Sequence, residues 1–304
     1  MSTKRNPGAE AREEHGLWTA SKWLILRRLT QISILALFVS GPWLGVWIVK
    51  GTLASSMTLD VLPLTDPLIA LQSLVAGHWP ETLALLGAAI VLSFYLLVGG
   101  RVYCSWVCPI NPVTDLAAWV RAKLGISKGW SMKHSARYWV LGGVLVASAL
   151  TGTIAFELIN PITMLYRNVL FGLSWGLLIV AVIFLFDVFV MRDGWCGHVC
   201  PVGAFYGLVN TAGLLRVSAQ GRLRCDDCMD CYAVCPEMHV ISPALKGAVG
   251  SSPIIGHRDC TSCGRCIDVC PERVFAFTHR FDRHVDTKHT DADGTPNVQL
   301  EKVA

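Results

Sequence analysis

The sequence predicts a mainly α-helical membrane protein: four transmembrane helices in two repeated pairs, followed by a small α+β cysteine-rich module on the cytoplasmic side. Three observations predict it. First, of 304 residues 53% are hydrophobic and only 16% charged, against roughly 25% charged in ordinary soluble domains. Second, the apolar residues gather into four runs long enough to span a bilayer. Third, all twelve cysteines fall into short motifs, with none left over. A secreted disulfide scaffold would be shorter and more loosely spaced, so metal or cluster ligation in a reducing compartment is expected. No basic run is interleaved with aromatics, and the net charge of +4 is modest, so nucleic acid is not an expected partner.

A spanning helix needs about 20 mainly apolar residues. The expected spans are Leu29–Val49, Thr82–Gly100, Tyr138–Leu158 and Val169–Met191. Pro42 falls inside the first and should kink it or be bridged by neighbours. The first run is longer than the apolar region of a signal peptide and no convincing cleavage site follows, so an uncleaved anchor is expected. Lys4, Arg5, Arg12, Lys22, Arg27 and Arg28 precede the first span, and Arg101, Arg121, Lys123, Lys128, Lys133 and Arg137 separate the second from the third. The other two loops carry only Lys50 and Arg167. Lys and Arg mark cytoplasmic loops, so both termini, the central loop and every cysteine are expected on the cytoplasmic side of the inner membrane.

In the tail, "CDDCMDCYAVCP" (225–236) and "CTSCGRCIDVCP" (260–271) both read C-x2-C-x2-C-x3-C-P. This is the spacing of bacterial two-cluster ferredoxins, in which three near thiolates hold one cube and the fourth reaches the other. Cys225, Cys228, Cys231 and Cys270 are therefore assigned to one [4Fe–4S] cluster, and Cys260, Cys263, Cys266 and Cys235 to a second. Structural zinc prefers ligands in two pairs and fits two consecutive three-plus-one patterns poorly. The prolines should stop the helices carrying the crossing cysteines, and Gly264 should let backbone approach the sulfurs.

A second repeat precedes these. "VYCSWVCP" (102–109) and "GWCGHVCP" (194–201) each follow an apolar run, with Cys104 and Cys196 92 positions apart. This suggests a duplicated unit of two spans plus a cysteine pair. If a helix runs through each motif, cysteines at i and i+4 share one face. Three readings stay open for Cys104, Cys108, Cys196 and Cys200: a third iron–sulfur centre, a redox dithiol or other metal site, or packing of small apolar thiols. His198 is a candidate hydrogen-bond donor to a sulfur, with Trp106 in the counterpart position.

"LRRLTQISILALFVSGPWLGVWI", "LPLTDPL", "CSWVCPINPVTDL", "LTGT" and "GWCGHVCPVGA" together resemble the NapH-type membrane subunits, membrane polyferredoxins that form the quinol dehydrogenase component of bacterial periplasmic nitrate reductase systems. The resemblance covers nearly the whole chain. It implies oxidation of menaquinol or ubiquinol and passage of electrons toward nitrate reductase. The implied partners are a periplasmic iron–sulfur subunit and a membrane-anchored multihaem cytochrome. Related polyferredoxins serve nitrous oxide respiration and cytochrome oxidase assembly, so a role in maturation of a respiratory metalloenzyme is the rival reading, and a passive anchor a third. No C-x-x-C-H occurs, so c-type haem is not expected.

Quinol oxidation needs a proton acceptor beside an apolar slot, and acids at membrane depth are candidates by default. Asp66, His78, Glu157 and Asp187 are the quinol-site candidates, each of which could instead be a capping or interfacial residue. Asp66, His78 and Glu157 are expected on the outer face, about 30 Å from cysteines on the inner face. The expected organisation is a basic N-terminus (1–28), a four-helix membrane domain (29–215), a ferredoxin-like domain (216–280) and a disordered tail (281–304).

Overall fold

The computed structural model describes residues 6–126, 129–130, 132–172, 175–248, 251–286, 289–290 and 296–297. Most of the expected disordered tail, 281–304, lies outside them. Two compact units result: Leu26–Gly213, and Met1–Ile25 together with Leu214–Ala304.

The larger unit is helical, and its elements follow one pattern twice. Helix α2 (Lys22–Leu44), which begins in the other unit, is the one described helix long and apolar enough to cross a membrane alone. It starts seven residues before the expected span and stops at Leu44, where Gly45 takes a left-handed backbone (φ 74°) that ends a helix at no side-chain cost. Pro42, in its last turn, cannot bond the Phe38 carbonyl; the Tyr166 hydroxyl lies 3.5 Å from that oxygen. Strands β1 (Val49–Gly51), β2 (Ser55–Thr58) and β3 (Leu62–Thr65) form an antiparallel sheet in that order.

The sheet delivers the chain to a short helix, α3 (Pro67–Val75), capped by Asp66. Helix α4 (Thr82–Val98) packs against β3 at Gly87, where an added Cβ would sit 3.0 Å from the Thr65 amide nitrogen. A π-helical turn (Tyr103–Val107) and α5 (Ile110–Lys123) complete the first half. The second half is α6 (Ala136–Thr151), a 3-10 turn (Ala155–Leu158), α7 (Pro161–Phe171), α8 (Gly176–Leu185), two π-helical turns (Phe186–Val190 and Trp195–Val199) and α9 (Pro201–Val209).

The repeated unit is thus a longer helix, a short helix opened by Asp66-Pro67 or Asn160-Pro161, an apolar helix, a π turn bearing the cysteines, and an exit helix. Two expectations change here. The second, third and fourth apolar helices are shorter than the expected spans, at Thr82–Val98, Ala136–Thr151 and Gly176–Val190. Positive-φ glycines stop the second and third, Gly99 (φ 119°) and Gly152 (φ 63°), and Gly172 (φ 83°) ends α7 inside the expected fourth span. The cysteine motifs are π rather than α turns, so i and i+4 are not stacked on one α-helical face.

In the smaller unit β4 (Leu215–Ser218) pairs antiparallel with β5 (Ala276–His279), with Val217 opposite Phe277. Between them lie the short helices α10 (Asp230–Val234), α11 (Ser242–Leu245) and α12 (Arg265–Asp268). Val217, Val240, Ile241, Ile255, Val274 and Phe275 form the core. At about 25 cal/mol per Å² such a core is small for independent stability. The N-terminal segment adds to it: α1 (Ala9–Thr19) is preceded by Gly8, whose amide donates to Asp230 at 2.7 Å. The amides of Trp23 and Leu24 donate to the two oxygens of Asp268 at 3.1 and 2.9 Å, and Trp23 meets Phe277 edge-on.

Candidate metal centres

The two ferredoxin motifs fold alike because each wraps its loop with the same backbone conformations. The residues on either side of the second cysteine are left-handed in both: Asp227 and Met229 (φ 63° and 65°), Ser262 and Gly264 (φ 47° and 75°). Successive turns of this kind aim amides inward, a geometry that suits an anionic cluster. Gly264 answers to a neighbour as well as to its φ, since a Cβ there would lie 2.7 Å from that of Trp23. Cys225, Cys228, Cys231 and Cys270 line one pocket of about 320 Å³. Cys235, Cys260, Cys263 and Cys266 line another of about 370 Å³. Each pocket thus takes three cysteines from one motif and the last from the other. The amide of Val274 donates to the Cys270 sulfur at 3.4 Å. Burial pushes the Cys231 thiol up to about 12 and Cys228 to about 11. Thiols so shielded ionise when a cation replaces their protons.

In the larger unit the two C-x3-C-P pairs come together. Cys104, Cys108, Cys196 and Cys200 line one pocket of about 390 Å³, closed by Tyr103, Phe156, Pro161, Ile162, Trp195 and Gly203. Like each ferredoxin pocket, this one is lined by four cysteines. The Cys-Pro step turns each π segment into a helix that starts at the sulfur. The amides of Ile110 and Asn111 favour the ionised form of Cys108, and those of Val202 and Gly203 that of Cys200. Two helix N-termini therefore face the pocket, favouring negative charge there. Burial pushes the Cys200 thiol up to about 12 and carries Cys108 and Cys196 well above the ordinary range, with neighbouring cysteines adding to the rise. A reactive dithiol has the opposite character, a depressed pKa in a partly exposed site. The donor set and its enclosure fit a cluster.

Different elements hold the two halves of this site. Helix α2 fastens the first: Gln31 donates to the Ser105 carbonyl at 2.9 Å, Thr30 to that of Trp106 at 3.2 Å, and Arg28 pairs with Asp115. Asp187 fastens the second, its fully buried carboxylate accepting the Trp195 amide at 3.0 Å. Arg101, also buried, reaches the Cys196 carbonyl at 3.5 Å and so ties the first half to the second.

The quinol-site candidates part company. His78 is exposed, its ring 2.9 Å from the Gly152 carbonyl. Asp187 is occupied with the second π turn. Glu157 accepts from Asn160 at 3.0 Å, beside the pocket-lining Phe156. Asp66 accepts the amide of Leu68 at 3.0 Å and the hydroxyl of Tyr206 at 3.3 Å. Burial pushes its carboxyl up to about 6, the two hydrogen bonds pulling it down. The expected separation of Asp66 and Glu157 from the cysteines does not hold, because α3 and α7 fold back into the core. Sequence reasoning missed Tyr95, Tyr103 and Tyr206, which pack Asp66 toward Cys104, and missed Asn160. The paired "TDP" and "INP" were the available signal.

A duplicated cysteine pair lining one pocket on a helical scaffold, joined to a two-pocket module, defines an iron–sulfur protein of the electron-transfer class. A family model described as a 4Fe-4S binding domain matches residues 81–127 and 171–218, and one described as a 4Fe-4S dicluster domain matches 224–274. The ferredoxin-type protein NapH of Escherichia coli is 49% identical over 280 residues, 91% of this chain and 96% of its own length. The methylamine utilization ferredoxin-type protein MauN of Methylorubrum extorquens is 53% identical over 272 residues (90% of this chain, 94% of its own), and that of Paracoccus denitrificans 54% over 271 (89% and 95%). No solved structure matches. The chain belongs to the NapH and MauN family of ferredoxin-type iron–sulfur proteins.

Proposed function

We propose that this chain is the iron–sulfur membrane subunit of a quinol dehydrogenase. In this reading four helices cross the inner membrane within residues 29–215, both termini face the cytoplasm, and residues 216–280 carry two [4Fe–4S] clusters on the cysteine sets named above. A third centre sits on Cys104, Cys108, Cys196 and Cys200. Menaquinol or ubiquinol gives up two electrons and two protons near that centre. The electrons pass toward periplasmic nitrate reductase through a periplasmic iron–sulfur subunit and a membrane-anchored multihaem cytochrome.

One observation carries the reading: cysteine pairs from opposite halves line one pocket, walled also by Phe156 and the first turn of α7. A four-sulfur site inside the helical core supplies a stepping point between the expected inner and outer faces, which soluble-side clusters alone would lack. Among the candidates, Asp66 and Glu157 suit a quinol site better than the exposed His78 or the engaged Asp187. The test is reduction of the clusters by a quinol analogue in anaerobically purified protein with its partner; the absence of reduction at every analogue potential sinks the reading.

The MauN relatives, at 53% and 54% identity, favour attention to a second reading, since their name ties them to methylamine utilization rather than nitrate. Here the clusters donate electrons for maturation of a respiratory metalloenzyme. Reduction by a soluble cytoplasmic donor without quinol, with the mature enzyme active once made, would select it.

A further inference from the structure

Asp66 and Asn160 hold the same place in the two halves. Each precedes a proline at the first helical position, and each side-chain oxygen accepts the amide two residues on, from Leu68 at 3.0 Å and Ile162 at 3.1 Å. Asparagine and aspartate cap about equally well, so capping needs the side-chain oxygen and not the charge. The negative charge of Asp66 is left over, in a costly place. Glu157 faces it from the 3-10 turn, and Tyr206 of α9 donates to it.

The surroundings of Asp66 lead in one direction. The Tyr206 ring stacks on Tyr103 with centroids 4.8 Å apart, and Tyr95 of α4 meets both edge-on at 5.1 and 5.9 Å. Tyr103 adjoins Cys104 and lines the four-cysteine pocket. One carboxylate and three phenols thus form a continuous wall from the head of α3 to the sulfurs; in the second half Asn160 caps, Trp195 stands in for Tyr103, and the buried acid, Asp187, is held on the Trp195 amide.

We propose that Asp66 is the proton-accepting group of the four-cysteine centre: each electron the centre takes up is matched by one proton taken onto the Asp66 carboxylate, with Tyr206 as its hydrogen-bonded neighbour. The inference rests on the reading of those cysteines as a third centre. The electron comes from dithionite in the test, or in the proposed reaction from a quinol, which gives its two electrons one at a time, Asp66 releasing its proton as the centre is reoxidised between them. The proton comes from water or from the quinol hydroxyl, whose O–H bond breaks as that on Asp66 forms. An added negative charge in a low-dielectric core is neutralised beside it, which keeps the centre reducible.

The test uses the full, iron-loaded chain in lipid nanodiscs, titrated by EPR at a series of pH values, with infrared difference spectra of reduced minus oxidised protein. In the wild type, above about pH 6 where burial leaves the carboxyl ionised, the reduction equilibrium constant of the third signal falls tenfold per pH unit, about 59 mV for one electron. A protonated-carboxyl band appears on reduction. Asp66→Asn keeps the cap and the iron, and loses both the slope and the band. Tyr206→Phe removes a donor that favours the carboxylate, so the slope begins at higher pH. A third signal whose potential ignores pH, or an Asp66→Asn protein that keeps slope and band, overturns the proposal alone. Absence of a third signal in wild type overturns the four-cysteine reading and the proposal with it.

Discussion

The two halves of the larger unit share a plan and differ in how they are held. Both carry an Asx-Pro short helix, an apolar helix, a π turn and a Cys-Pro helix start. The shared parts are those a four-sulfur site requires of each contributor. The differing parts are those a site does not see equally from both sides: Asp66 against Asn160, Tyr103 against Trp195, a clamp from α2 against a buried Asp187. Duplication supplies symmetric cysteines, and the two sides of their pocket then differ in where the buried acid sits: Asp66 beyond Tyr103 on one, Asp187 on the Trp195 amide on the other.

The strongest way to break this comparison is to remove one sulfur from each half in turn. Cys104→Ser and Cys196→Ser should each cost about four of about twelve iron atoms per chain, read by iron and sulfide analysis after anaerobic purification. Loss from one variant only would assign the site to one half. The clamps come next. Asp187→Ala strips the acceptor from a part-buried amide at the head of the Trp195–Val199 π turn and should cost about 2 kcal/mol, seen as a lower temperature of iron release. Asp187→Asn should recover most of it; equal damage from both would give the charge, not the acceptor, the main part.

The ferredoxin module offers a smaller version of the same contrast, because Met229 and Gly264 share a left-handed position and only Gly264 is crowded, by Trp23. Gly264→Ala should destabilise the module by about 2 kcal/mol and Met229→Ala by less than about 0.5 kcal/mol, followed by thermal loss of the cluster absorbance. Smallest is the cap: Asn160→Ala should cost about 1 kcal/mol, while Asn160→Asp keeps the hydrogen bond to Ile162. An Asn160→Ala protein as stable as wild type would mean that α7 is set by packing alone.

What could be read in the chain without coordinates follows from how locally each feature is encoded. Ligand spacing such as Cys225-x2-Cys228-x2-Cys231 is covalent geometry, so the motifs were legible at once. The apolar runs were legible as composition, but their ends were not, because single left-handed glycines such as Gly172 decide them. The π turns needed long-range partners, Gln31 and Asp187, to hold them. Helices α3 and α7, of 9 and 11 residues, are too short to announce themselves by periodicity against apolar loops. Their return to the core, and with it the contact of Asp66 with Tyr206, is visible only in three dimensions.

The exchange of last cysteines between the two ferredoxin pockets has a consequence for how the module is made and lost. Cys270 closes the pocket of the first motif and Cys235 that of the second, so neither wall is complete until the whole segment has folded. A cluster loaded into one pocket should draw the other into shape, and its removal should open the other. A half-filled chain is then the least stable species on the path, and damage by oxygen should empty molecules one at a time rather than pockets one at a time.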